Sequence, residues 1–144
     1  MRILVDADGC PVVDSTIRIA GQAGIECLLL CDTSHVFEKD GARTLTFSKG
    51  ADSVDFALVN LLQAGDIVVT QDYGLAAMCL ARKAVVLHQD GVQYTDDNIG
   101  GLLLSRHTAR KIRSAGGRTK GLPKRTGEQN IAFEAALRQA VQKS

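Results

Sequence analysis

Apolar residues fall in two alternating rhythms along this chain. Arg2 to Val5 is a short apolar strand, Glu26 to Cys31 a continuous apolar run, and Arg43 to Phe47 alternates with period two. Ile67-Val68-Val69 and Ala84 to Leu87 add two more strand-like runs. Between them the period lengthens. Val12, Val13, Thr16, Ile17 and Ala20 share one helical face between Pro11 and Gly24, and Val54, Ala57, Leu58, Leu61 and Leu62 repeat at helical spacing before Gly65. A third helix is expected from Tyr73 to Arg82, and Thr95-Asp96-Asp97 caps a fourth carrying Ile99, Leu102 and Leu103. A last helix over 128–142 docks through Phe133, Leu137 and Val141. Strands alternating with helices of this length predict a three-layer α/β/α domain around a mainly parallel sheet of five strands, ordered 3-2-1-4-5. Continuous apolar strands suit a sheet covered on both faces.

Size and composition leave that picture intact. The 144 residues suit one domain, and 45% hydrophobic residues with 14 glycines and 2 prolines is ordinary globular composition. No run approaches the roughly 18 apolar residues that span a membrane. No signal peptide is evident, so a soluble, cytoplasmic protein is expected. Cys10, Cys27, Cys31 and Cys79 lack the two-residue spacing of structural zinc sites and read as buried thiols. Cys10, just before Pro11, is expected at a helix start, where a thiol pKa is lowered.

Charge changes the picture. Residues 1–100 carry 7 Lys/Arg against 14 Asp/Glu, and residues 101–144 carry 10 against 2. Arg106, Arg110 and Arg113 recur at helical spacing with Lys111 beside them, followed by Arg118, Lys120, Lys124 and Arg125 without an intervening acid. Residues 114–127 are rich in Gly, Lys and Arg and are expected to be a mobile basic loop. Such a run reads either as a solvated face or as a polyanion clamp, and the latter is favoured; no aromatic interleaves it to stack bases. His107 suits helix-dipole balance or a phosphate contact, while His35 and His88 read as structural or incidental.

The candidate chemistry sits in Leu4-Val5-Asp6-Ala7-Asp8-Gly9, two carboxylates where the first strand should end. Ligands of open α/β folds bind at strand carboxyl ends, at the point where strand order reverses. With strands one and four as neighbours, Asp72 faces Asp6 across that crevice. Asp52 opens the helix before strand four, and Asp55 shares its helical face. Read singly, Asp52 and Asp72 are helix caps. Read together, the acids suit Mg²⁺ or Mn²⁺, hard cations that take oxygen ligands and share phosphate oxygens.

Three ordered motifs carry a resemblance: Val-Asp-Ala-Asp-Gly-Cys-Pro-Val at 5–12, Lys-Gly-Ala-Asp-Ser-Val-Asp at 49–55, and Val-Val-Thr-Gln-Asp-Tyr-Gly-Leu-Ala at 68–76. Together with Arg106-His107 and the basic Gly-rich stretch from Gly116 to Thr126, they resemble the YaiI/YqxD family of PIN-like proteins related to NYN domains. The resemblance implies a PIN-like fold and a metal-dependent ribonuclease activity, with RNA ahead of DNA as partner. Asp6, Asp8, Asp52 and Asp72 would be the catalytic acids, and the same four with Asp55 the metal ligands. NYN domains usually carry a further acid where this chain has Gly74, which keeps open a non-catalytic nucleic-acid-binding protein with a vestigial metal site. Asp6-Ala7-Asp8-Gly9 also resembles the opening of phosphohydrolases with an Asp nucleophile, whose later motifs have no clear counterpart here.

Overall fold

The computed structural model describes residues 1–32, 38–48, 53–114 and 124–143, the side chains of 106–114 excepted. The elements run β1 (Arg2–Asp6), α1 (Val13–Ala23), β2 (Glu26–Asp32), β3 (Arg43–Phe47), α2 (Ser53–Leu61), β4 (Ile67–Val69), α3 (Tyr73–Ala81), β5 (Val85–Leu87), β6 (Gln93–Tyr94), α4 (Asp96–Ser114) and α5 (Gly127–Gln142). They form one sheet ordered β3-β2-β1-β4-β5-β6. The first five strands are parallel, in the order the alternation predicts. The sheet nevertheless has six strands rather than five. β6 turns back after Gly91 and pairs antiparallel with β5, Val86 opposite Tyr94. Two residues are too few to display a period-two pattern, so the sequence offers no sign of β6.

Side-chain alternation in the strands sorts the core into two slabs. Ile3, Val5, Cys27, Leu29, Cys31, Ile67, Val69 and Leu87 face α1 and α5, where Val13, Ile19, Ala20, Phe133 and Leu137 complete one slab. Leu4, Leu28, Leu30, Val68 and Val86 face the other way, onto Leu58, Leu62, Leu75, Ala76 and Cys79 of α2, α3 and their flanks, with Tyr94. This is the expected three-layer arrangement, with the sheet covered on both faces. Arg18 of α1 and Glu134 of α5 form an ion pair across their shared surface.

The helix ends differ in detail. α1 starts at Val13 rather than Pro11, because the chain first turns at 7–10, where the Cys10 amide donates to Ala7 O at 3.1 Å. α2 ends at Leu61, short of Gly65; the following turn is held by Asp66, which accepts from the Gln63 amide at 2.9 Å and from Arg2 Nη2 at 3.1 Å. α4 begins as expected, with Thr95 Oγ1 accepting from the Asn98 amide and Asn98 Oδ1 from the Thr95 amide. Most of the expected mobile loop over 114–127 lies outside the described residues, and the last helix starts at Gly127 rather than 128.

Candidate functional site at the carboxyl edge of the sheet

Parity and register set Asp6 beside the strand end that leads to Asp72. On β1, Leu4 faces α2 and α3, so Asp6 two residues later emerges on that side. β1 and β4 pair with Val5 opposite Val69, so the next position sets Asp6 opposite Thr70. The Thr70 hydroxyl donates to Asp6 Oδ2 at 2.9 Å and accepts from the Asp72 amide at 3.0 Å. One hydroxyl thereby links the carboxylate ending β1 to the chain entering α3. Tyr94 anchors this strand end in turn, its hydroxyl donating to Thr70 O at 3.2 Å. Thr70 and Tyr94 escape a search for charged residues, since their roles follow from register alone.

Asp72 is the N-cap of α3: its Oδ1 accepts from the Gly74 amide at 2.9 Å and the Leu75 amide at 3.2 Å. The capping role and the place beside Asp6 are both realised. An ideal Cβ on Gly74 would stand 3.3 Å from Asp72 Oδ1, so a side chain there would press on this cap. Asp72→Ala is expected to lower stability by about 1 kcal/mol, the usual cost of losing an N-cap, whereas Asp72→Asn keeps an accepting oxygen and costs a few tenths. Urea unfolding of the two variants checks it, and equal losses would mean that charge rather than capping matters.

Asp8 lies toward β2, Oδ2 accepting from the Asp32 amide at 3.0 Å. Asp55 sits in the first turn of α2. Burial pushes the Asp6 carboxyl up to about 6; the Thr70 hydroxyl lowers it, and the carboxylates of Asp55, Asp72 and Asp8 each raise it further. Asp52 lies outside the described residues. Among the described residues, no group of three or more His, Cys, Asp or Glu is placed to hold a metal ion.

The expectation of a lowered Cys10 thiol is overturned. Burial pushes it up to about 11, because Cys10 precedes a turn rather than a helix and packs beneath the α1 slab. Cys27 and Cys79 are likewise pushed up to about 12 by burial, in keeping with reduced core thiols.

The basic residues divide. Arg106, Arg110, Lys111 and Arg113 lie on the carboxyl half of α4, and Arg118 and Lys120 fall outside the described residues. Lys124 is exposed. Arg125 is engaged at all three guanidinium nitrogens: Nη1 donates to Asp90 Oδ1 at 2.6 Å, Nη2 to Gln89 O at 2.7 Å and Nε to Asn130 Oδ1 at 2.8 Å. The end of the basic run is therefore fastened to the turn that follows β5. Asp90 and Gln89 follow β5, which runs parallel to β4 and β1, so this anchor lies on the same carboxyl edge of the sheet as Asp6.

No helix among the described residues is long and apolar enough to cross a membrane. No solved structure matches the chain. The family described as "Uncharacterized BCR, YaiI/YqxD family" matches residues 4–143. The chain is similar to a UPF0178 protein of Exiguobacterium sibiricum, 55% identical over 137 residues covering 95% of this chain and 94% of that one. A UPF0178 protein of Ruminiclostridium cellulolyticum is 51% identical over 137 residues, 95% and 90% of the two chains. One of Enterococcus faecalis is 41% identical over 147 residues, 100% and 99%. With a family match spanning nearly every residue and relatives of this similarity along their whole lengths, the chain belongs to the YaiI/YqxD family.

Proposed function

We propose that this protein is a divalent-metal-dependent nuclease acting on RNA, with the acidic edge as its reaction site and the basic run as its phosphate clamp. One observation carries the reading: Asp6 ends a buried strand at the switch point between β1 and β4, with its carboxyl raised to about 6 by burial and by three neighbouring acids. A fold that keeps such a group there, with no positive charge beside it among the described residues, retains an electrostatic cost that a cation would relieve.

The donors are carboxylate oxygens, which suit Mg²⁺ or Mn²⁺. Asp6, Asp8, Asp55 and Asp72 would hold the ion with Asp52, which lies outside the described residues; since no three described acids are placed to hold an ion, their side chains would have to converge as it binds. When bound, it would offset charge on the phosphate and make water a usable nucleophile near neutral pH. The remaining work belongs to the chain. Thr70 fixes the orientation of Asp6, the first amides of α3 fix Asp72, and the Asp32 amide fixes Asp8. Lys124 and the α4 cations supply the sequence-independent grip on phosphates that makes affinity fall steeply with salt.

A second reading has its own observation. Asp72 Oδ1 already accepts two amide hydrogen bonds, and Gly74 supplies no further acid. That favours a non-catalytic nucleic-acid-binding protein with a vestigial metal site. Incubation of single-stranded and structured RNA with wild type, Asp6→Asn and Asp72→Asn, in Mn²⁺ and then in EDTA, separates the two. Cleavage is expected from wild type in Mn²⁺ alone, with both variants slowed at least about 100-fold, as for loss of a group stabilising the transition state. Equal cleavage by all three overturns the proposal, and salt-dependent binding without cleavage selects the second reading.

A further inference from the structure

The register that pairs Asp6 with Thr70 continues one strand further. β4 and β5 pair with Val68 opposite Val86 and Val69 opposite Leu87, and the Thr70 amide donates to Leu87 O at 3.1 Å, which places His88 beside Thr70. Val86 belongs to the α2/α3 slab, so His88 emerges on the same side as Asp6. Asp6, Thr70 and His88 thus stand side by side at the carboxyl ends of three adjacent parallel strands, the last two just beyond β4 and β5. At about 4.8 Å per strand, the backbones at Asp6 and His88 are about 10 Å apart, a distance that a short length of nucleic-acid backbone spans.

The ring is held in one tautomer. The Asp90 amide donates to His88 Nδ1 at 3.0 Å, which requires a lone pair there and leaves the proton of the neutral ring on Nε2. The Asp90 carboxylate lies 3.6 Å from the same nitrogen, a contact that would favour the protonated ring. Burial, which lowers the pKa of His88 most, and the adjacent Arg125 both act against that form. Nε2 has no hydrogen bond to any described residue, and the side chain remains 19% exposed. The ring is wedged edge-to-face on Tyr94 at 6.0 Å between centroids, and Tyr94 itself fastens Thr70. Arg125, ion-paired with Asp90, offsets that carboxylate's negative charge beside the turn. A fixed neutral donor beside a carboxylate whose charge is already compensated suits a phosphate oxygen.

We infer that His88 is a phosphate-binding residue of this edge, donating from Nε2 to a phosphodiester next to the one at the Asp6 cluster. The inference rests on the nucleic-acid reading above. A purely structural histidine would need only Nδ1, to hold the turn through 88–91.

Two substitutions separate the nitrogens, because Asn carries an acceptor where Nδ1 lies and Gln a donor near Nε2. The readouts are anisotropy of a labelled single-stranded RNA 12-mer in Ca²⁺, cleavage in Mn²⁺, and Tm. His88→Asn is expected to keep Tm and bind RNA about 10-fold more weakly, the scale of one hydrogen bond to a charged group. His88→Gln is expected to stay within about 3-fold of wild-type binding while losing Tm. In wild type the His88 Nε2–H resonance should move on adding RNA. Wild-type affinity in His88→Asn, equal losses in both variants, or an unmoved resonance at saturating RNA overturns the inference while the nuclease reading stands. Wild type that neither binds nor cleaves RNA overturns both.

Discussion

Gly91→Ala is expected to destabilise the fold by roughly 3 kcal/mol, combining overpacking with a positive-φ penalty, and to lower Tm by roughly 6–12 °C. Gly91 has φ +92°, and a Cβ built there stands 2.6 Å from both the carbonyl carbon and oxygen of Ala132 and 2.9 Å from the Phe133 amide nitrogen. These are backbone atoms of α5 and cannot rotate aside. The helix must move away from the sheet, drawing Phe133 and Leu137 out of the slab they share with α1. Gly65 provides the control. Its φ is +89°, yet among the described residues no atom beyond its chain neighbours lies within 4 Å of its Cβ position, so Gly65→Ala should cost only the backbone strain, about 1 kcal/mol. Thermal and urea unfolding of both variants isolate the clash by difference. If the two substitutions cost the same, α5 does not depend on close approach at Gly91.

That contrast marks the boundary of what the chain discloses before it is folded. Gln89-Asp90-Gly91 reads as a turn in sequence, and it is one, but nothing local distinguishes Gly91 from Gly65. The difference is made by a helix about 40 residues further on. The same holds at the acidic edge. Asp6 and Asp72 were legible because charges interrupting apolar strand ends are conspicuous and strand order follows from the β–α alternation. Thr70, Tyr94 and His88 were not, since each acquires its role from register with a neighbouring strand. Cys10 shows a local rule overridden by packing: a thiol before a proline and an amphipathic run points to a helix start, yet the chain turns once more and buries it. Arg125 was legible as a cation but not as an anchor, because Asp90 and Asn130 lie on opposite sides of it in sequence.

Asp6→Asn is expected to stabilise the metal-free protein at neutral pH by up to about 3 kcal/mol, the energy of a carboxyl raised some two pKa units at about 1.4 kcal/mol each. The folded carboxyl titrates near 6 and the unfolded one near 3.8. Between those values the folded state holds the extra proton, so wild-type stability falls as pH rises from about 4 to about 6 and stays lower above. Asn takes no part in that titration and still offers an oxygen to the Thr70 hydroxyl. Urea unfolding of wild type and Asp6→Asn in EDTA from about pH 3.5 to about pH 8 should therefore give two curves that converge below about pH 4 and separate as pH rises to about 6. Carboxylates remote from Asp6 are common to both proteins and cancel in the difference, which reads Asp6 together with its coupling to Asp55, Asp72 and Asp8. Adding Mn²⁺ at pH 7.5 should recover much of the gap in wild type, since a ligand at 100 times its Kd contributes about 2.7 kcal/mol, and should leave Asp6→Asn unmoved. Parallel curves across the whole range would show that Asp6 is solvated and carries no stored cost. Separated curves with no response to Mn²⁺ would leave the electrostatic strain in place and remove the cation as its remedy, turning the acidic edge from a metal site into a feature that the second, non-catalytic reading explains better.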